Sequence, residues 1–346
     1  MKTVFLSFIL CFLLISCNGA GTQKKEKFFI EISPKSKEYQ LNDVLDFDVS
    51  KNNFGEDISS VTYRINSKEI SKTNGKYQFK NVKLGKQFLE AEVTTQSGKT
   101  HKIQKEIMIL ANQSPKIYTY KILNTYPHDK KSYTQGFEFL GDTILESTGQ
   151  YGKSSLKKWN VFTGEVYKNI NLNPQYFGEG TTAFNGKIIQ LTWQENTGLI
   201  YDFDLKQTGS FKYGKSKEGW GICHDGKKFY KSDGSEKIWI LNSETFEEEY
   251  FIQLCTDKSL FSNANELEWV GGKIYANTYQ KDGIMIINPE NGAIEGIIDV
   301  RGLKEKVEQI DELDVLNGIA YHSGRKTFFI TGKNWSLVFE VIFEEK

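Results

Sequence analysis

The sequence predicts an all-β protein, a five-bladed β-propeller preceded by a small immunoglobulin-like β-sandwich. Two observations carry that expectation. Aromatic residues make up 14 % of the 346-residue chain, prolines number five and glycine-centred turns are frequent, which favours many short strands over helices. A two-strand unit around a glycine then recurs five times at a near-constant step.

The elements follow in chain order. Residues 1–17 read as an export signal rather than as fold: Lys2 gives a positive start, Val4 to Leu14 is an apolar run too short to span a bilayer, and Leu14-Ile15-Ser16-Cys17 resembles a bacterial lipobox. Cys17 would then carry lipid and residues 18–26 would serve as a flexible tether. The protein would be exported and lipid-anchored to the bacterial cell envelope, meeting the membrane only through that anchor. An ordinary signal peptide with an incidental cysteine is the alternative.

Residues 27–112 alternate in short strands, among them Phe28 to Ile32, Val44 to Val49, Val61 to Ile65, Phe88 to Thr94 and Lys102 to Ile109. That spacing suits an immunoglobulin-like sandwich. No polar chemistry clusters within it, so it reads as a spacer or docking module.

Residues 116–346 hold the repeats. The marker glycines are Gly141, Gly186, Gly226, Gly272 and Gly324, at steps of 45, 40, 46 and 52 residues, the length of one four-stranded blade. The fifth repeat ends at Val338 to Phe343 without an outer strand, and Ile117 to Leu123 is left over before the first. Pairing these two closes the ring and covers both edges. Leu303 to Leu313, rich in Glu and Lys, reads as a short helical insertion.

Because strands alternate in direction, the start of each inner strand and the turn between its second and third strands share one rim. Inner-strand starts carry Gln135, Glu179, Trp220, Asn265 and Asn317. The turns carry Gln150, Trp193 with Gln194, Asp233, Tyr279 with Gln280, and Lys333 with Trp335. Trp159, Trp239 and Trp269 lie within strands and read as packing. Glu179, between Gly178 and Gly180 and facing aromatic groups, is the residue for which burial is costly without a task.

Other classes are disfavoured. Forty-four basic residues balance forty-four acidic ones, so no global field draws the chain to nucleic acid. The four histidines are dispersed and none has metal-ligand spacing, so neither a metal nor another cofactor is called for. Cys223 and Cys255 either pair or stand as separate buried hydrophobes.

The motifs Tyr133-Thr-Gln-Gly-Phe, Phe177-Gly-Glu-Gly-Thr-Thr, Glu218-Gly-Trp-Gly, Asn265-Glu-Leu-Glu, Ala276-Asn-Thr-Tyr-Gln-Lys-Asp, Leu316-Asn-Gly-Ile-Ala and Thr331-Gly-Lys-Asn-Trp run through all five repeats. In that order they resemble the glutaminyl cyclase family of plants and bacteria. The resemblance implies a monomeric five-bladed propeller enzyme that takes peptides or proteins with N-terminal glutamine and forms pyroglutamate with release of ammonia. It implies Glu179 as acid/base, with Lys333 beside it, and Gln135, Phe177, Trp193, Trp220, Asn265 and Tyr279 as the substrate pocket. Tyr279 stands where the plant enzymes carry a Trp, and Tyr133 where Phe is usual. Oxyanion donors are expected among Gln135, Asn265, Lys333 and the Trp220 indole N–H. A non-catalytic module that holds peptide or glycan at the cell surface is the alternative.

Overall fold

The computed structural model describes residues 27–346 and consists almost entirely of strands. The signal-like segment, Cys17 and the tether lie outside the described residues.

The first region shows why alternation reads as a strand. In β1 (Phe28–Ser33) every second side chain is buried, placing Phe28, Ile30 and Ile32 on one face. With β2 (Glu38–Gln40), β3 (Val44–Lys51), β4 (Ile58–Ile65), β5 (Lys68–Ile70), β6 (Tyr77–Gln78), β7 (Gly85–Thr95) and β8 (Thr100–Leu110), it builds two sheets ordered β1-β3-β6 and β2-β8-β7-β4-β5. Their core of Ile30, Leu45, Phe47, Leu89 and Ile109 reaches as far as Cys255 of the second region. Backbone bonds join the regions: Leu84 N–H to Asn291 O at 3.1 Å and Ala111 N–H to Thr256 O at 3.1 Å.

After β9 (Lys116–Pro127) come three antiparallel four-stranded sheets. They are β10 (Thr134–Leu140), β11 (Thr143–Thr148), β12 (Ser155–Asn160) and β13 (Val166–Asn171); β14 (Gly178–Phe184), β15 (Lys187–Thr192), β16 (Thr197–Tyr201) and β17 (Gln207–Lys212); then β18 (Ile222–His224), β19 (Lys228–Ser232), β20 (Lys237–Asn242) and β21 (Glu248–Gln253). The rest, β22 (Ala264–Val270), β23 (Lys273–Thr278), β24 (Gly283–Ile287), β25 (Ile294–Asp299), β26 (Leu316–His322), β27 (Thr327–Gly332) and β28 (Leu337–Glu345), joins one eight-stranded sheet ordered β22-β23-β24-β25-β9-β28-β27-β26. The left-over strand thus lies in β9, antiparallel to β28 and parallel to β25 through Ile117↔Ile297.

Turn chemistry repeats with the strands. Gly141, Gly186, Gly226 and Gly272 all have positive φ, the conformation a hairpin corner demands. At the fifth hairpin the left-handed residue is Lys326 (φ 57) rather than Gly324. Between third and fourth strands an Asx turn recurs: Asn160, Asp202, Asn242 and Asn288 each accept backbone N–H groups through Oδ1. The expected helical insertion is only a 3-10 turn at Lys304–Lys306, flanked by Leu303 and Val307, which are buried in the core.

The first strands of the repeats touch in a closed cycle: β10 with β14, β14 with β18, β18 with β22, β22 with β26 and β26 with β10. Glycines permit the approach. Gly180 N–H donates to Trp220 O at 2.7 Å, and a Cβ on Gly221 would lie 2.0 Å from Asn265 O. The glycines beside Glu179 therefore serve contact between strands. Pairing is irregular at the same level, between Thr134 and Gly136, Gly178 and Thr181, Ala264 and Leu267, and Leu316 and Ile319. Such bulges re-aim the side chains at the strand starts toward the axis.

Cys223 and Cys255 are both buried and unpaired, which resolves the question the sequence left open.

Candidate active site

One pocket of about 250 Å³ is lined by Tyr133, Gln135, Phe177, Glu179, Trp193, Trp220, Asn265, Tyr279 and Lys333. Every pocket residue expected from the sequence is there, joined by Tyr133. Pockets for drug-sized ligands run from roughly 300 to 1,000 Å³, so this one fits about one amino-acid residue.

Its floor comes from strand starts. Glu179, 4 % exposed, accepts a hydrogen bond from Gln135 Nε2 at 3.0 Å. Asn317 Nδ2 donates in turn to Gln135 Oε1 at 2.9 Å and to Thr134 O at 3.0 Å, fixing which way the Gln135 amide faces. Asn317 is thus a buried support and does not line the pocket. Burial drives the proton affinity of Glu179 well above the ordinary carboxylate range; Lys333 opposes this, and the carboxylates of Glu218 and Glu195 add to it. Asn265 is buried with Oδ1 unpartnered.

The walls are aromatic and meet edge to face. Phe177 and Trp193 have ring centroids 5.6 Å apart, and Trp220 and Tyr279 5.4 Å apart. Lys333, 3 % exposed, lies 4.7 Å from the Tyr133 ring centroid and 5.3 Å from that of Tyr279. Burial lowers its pKa, while Glu179 and Asp314 work against that shift. Tyr133 is anchored by its hydroxyl to Asp314 Oδ2 at 2.7 Å.

Several expectations need correction. The Trp220 indole N–H is no free donor: it bonds Glu218 Oε2 at 2.8 Å, as does the Trp193 indole at 2.8 Å. Trp335 is buried in the core, its indole lying over Gly332 and donating to Asp314 O at 3.0 Å. Asp233 turns away to Ser235 and to Trp239 Nε1, 2.7 Å distant. Gln150 and Gln280 occupy positive-φ turn positions, and Gln194 donates to Glu218 Oε1. Trp335, Asp233, Gln150, Gln194 and Gln280 do not line the pocket. The mouth is also richer in acids than the strand starts suggested, with Glu195, Glu218 and Asp314 about it.

Trp159, Trp239 and Trp269 pack as expected, Trp269 stacked on Tyr230 at 5.3 Å.

The missed residues are Tyr133, Glu218 and Asp314. Glu218 had a signal, its place in Glu218-Gly-Trp-Gly, but among lysines it reads as a solvated charge. Asp314 lies in the loop before β26, where no period aligns it.

Set against known proteins, residues 91–343 match the glutamine cyclotransferase family. That span begins inside β7, ahead of the first repeat. The chain is 34 % identical over 239 residues to a glutaminyl-peptide cyclotransferase of Arabidopsis thaliana, covering 66 % of this chain and 72 % of that one. It is similar in structure to the glutaminyl cyclase of Myxococcus xanthus, with a TM-score of 0.62 at 29 % identity over 67 % of this chain and 99 % of that one.

Proposed function

Because the chain belongs to the glutamine cyclotransferase family, we propose that its pocket converts N-terminal glutamine of peptides and proteins to pyroglutamate, with Glu179 as acid/base and Lys333 as electrostatic partner. The α-amine nitrogen attacks the side-chain amide carbon, a lactam C–N bond forms, and the amide nitrogen leaves as ammonia. The observation that carries these roles is Glu179 itself, buried, held by one neutral donor and with raised proton affinity.

Nucleophile and electrophile share one residue, so the enzyme's task is to fold that residue and manage protons. A pocket of about 250 Å³ walled by Phe177, Trp193, Trp220 and Tyr279 suits the first task, and orientation of this kind recovers several kcal/mol of barrier. A free α-amine titrates near pH 8 and is partly neutral at working pH. Glu179 then takes one of the two protons on the attacking nitrogen as the C–N bond forms, leaving the other as the lactam N–H, and returns the one it took to the leaving nitrogen. Gln135 orients Glu179. With the Trp220 indole committed to Glu218, Asn265 and Lys333 are the donors left for the oxygen of the tetrahedral intermediate.

The closed cycle of first strands supports a five-bladed propeller over residues 116–346, and the two small sheets support an immunoglobulin-like sandwich over 27–112. Export and lipid anchoring through Cys17 to a bacterial envelope rest on residues 1–26. Among the described residues no helix is long and apolar enough to cross a membrane. Mass spectrometry of the amino-terminal peptide tests the anchor: an unmodified Cys17 in the mature protein removes it.

The decisive assay incubates purified protein with a Gln-leading peptide. Ammonia should appear together with a peptide lighter by one ammonia. Binding of the peptide without either product would support the surface-binding alternative instead.

A further inference from the structure

Two walls of the pocket are tied to one atom. Trp193 follows β15, and Trp220 precedes β18 in the next repeat, yet both indole N–H groups donate to Oε2 of Glu218, each at 2.8 Å. The other oxygen, Oε1, accepts from Gln194 Nε2 at 3.0 Å. The main chain here is fixed as well. Glu218 O accepts from Lys231 Nζ at 2.7 Å, and that buried ammonium also donates to Ser216 Oγ at 2.6 Å. Gly219 N–H donates to Trp193 O at 3.0 Å.

An indole can only donate. Two unanchored indoles facing a pocket of this size would turn their N–H groups toward any carbonyl within reach, and the substrate offers two. Anchoring both on one carboxylate oxygen does two things: it leaves ring faces and edges as the pocket surface, and it sets the angle between the walls. Charge-assisted bonds of this kind are roughly twice as strong as neutral ones.

Resting on the cyclisation proposed above, we propose that Glu218 is a positioning residue of the reaction, holding both indole walls through a single oxygen so that the bound glutamine is kept folded for attack. Its charge has a second consequence. The groups facing Glu179 from the surrounding elements are Lys333, which lowers its proton affinity, Glu218 and Glu195, which raise it, and the Tyr133, Tyr151 and Tyr213 phenols, whose own pKa values Glu179 helps to raise. Removing the Glu218 charge leaves burial and Glu195 to oppose Lys333, so the proton affinity of Glu179 falls.

The test compares E218A and E218Q with the unaltered protein, using a Gln-leading peptide across pH and with thermal unfolding as a check on folding. In E218A both indoles lose their acceptor, and kcat falls on the order of a hundredfold, the effect of misplacing a reacting group by about 1 Å. E218Q keeps an acceptor oxygen for the indoles, with the exposed Gln194 amide turning to accept from the new amide. Its kcat recovers to within about tenfold, while the acidic limb of kcat/KM moves to lower pH. A kcat in E218A equal to that of the unaltered protein overturns the proposal. So does an E218Q as slow as E218A with an unmoved limb, since that would make Glu218 merely structural. Absence of ammonia release from the unaltered protein is a separate outcome that overturns the cyclisation itself, and the positioning role with it.

Discussion

Glu146 and Glu179 are both glutamates withdrawn from solvent at the same end of neighbouring sheets, and they hold protons in opposite ways. Glu146, in β11, pays for burial with partners: His128 Nε2 at 3.1 Å, Thr134 Oγ1 at 2.9 Å and Lys157 Nζ at 3.0 Å. Burial pushes its pKa up, but Lys157 and His128 more than reverse this and hold it well below the usual carboxylate range. Glu179 is equally buried and has one amide donor and one more distant lysine, so burial prevails. The difference separates structure from chemistry. A carboxylate whose charge is fully met has no proton to move at neutral pH, whereas one that is under-met can exchange it.

The comparison breaks most sharply if Glu179 proves replaceable. E179Q should lower turnover by about a thousandfold or more, equivalent to roughly 4 kcal/mol, with its melting temperature no lower than that of the unaltered protein. Ammonia release and a thermal melt on the same sample measure both; an active E179Q, or one that unfolds early, makes Glu179 another Glu146. E146Q should do the reverse. It leaves Lys157 and His128 facing an uncharged amide and costs about 3 kcal/mol of stability, the lower end for breaking a buried ionic cluster, while activity per folded molecule persists.

N265A sharpens the assignment at the mouth. Losing one oxyanion donor should lower kcat about a hundredfold and change KM little. A change confined to KM would make Asn265 a binding residue only. Farther along the axis Glu266 reaches across to β10 and β26, accepting from Phe137 N–H at 3.3 Å and Ile319 N–H at 2.9 Å. E266A strands two buried N–H groups and should cost about 2 kcal/mol in a denaturant melt.

The sequence disclosed what the repeat aligns. Gln135, Glu179, Trp220 and Asn265 occupy equivalent positions before their marker glycines, so a fixed step places them on one rim, and the same step brings Trp193, Tyr279 and Lys333 to it from the turns. It did not disclose what lies outside that register. Trp335 shares the turn of Lys333, yet Gly332 gives its indole room to fold into the core. Glu218 and Asp314 act through bonds to residues in other segments, Trp193 and Tyr133, which no local pattern encodes. Glu266 was visible within Asn265-Glu-Leu-Glu, but its role as a crossbar depends on the close approach of neighbouring strands that glycines at 136, 180, 221 and 318 permit. The lone helical expectation failed although Leu303 and Val307 are both buried, because the chain between them makes only a single 3-10 turn.

The smallest effect tests the under-partnered class away from the mouth. Glu138 lies lower on β10, its carboxylate accepting from Ala183 N–H at 3.1 Å, and burial raises its pKa to about 7. An unfolded glutamate titrates near 4.3. Between those values the folded protein binds a proton that the unfolded chain has released, so the stabilisation is full below about pH 4.3 and is lost as pH rises through 7. At pH 4 the Glu138 side chain is neutral when folded and largely neutral when unfolded, and E138Q, which keeps an oxygen for Ala183, should melt within a degree or so of the unaltered protein. At pH 8.5 the glutamate must either ionise in place or retain its proton at a cost, whereas the amide does neither. E138Q should then be the more stable on the order of 1 kcal/mol, or a few degrees in a chain of this size. Glu146, with its pKa displaced downward, contributes stability above the unfolded value that is lost only as pH falls, so E146Q must show its full deficit at pH 8.5 and less in acid. Parallel melts at the two pH values read both variants, and a deficit that moves the same way with pH in each would mean that burial, rather than partners, sets the proton affinity of every carboxylate on these strands.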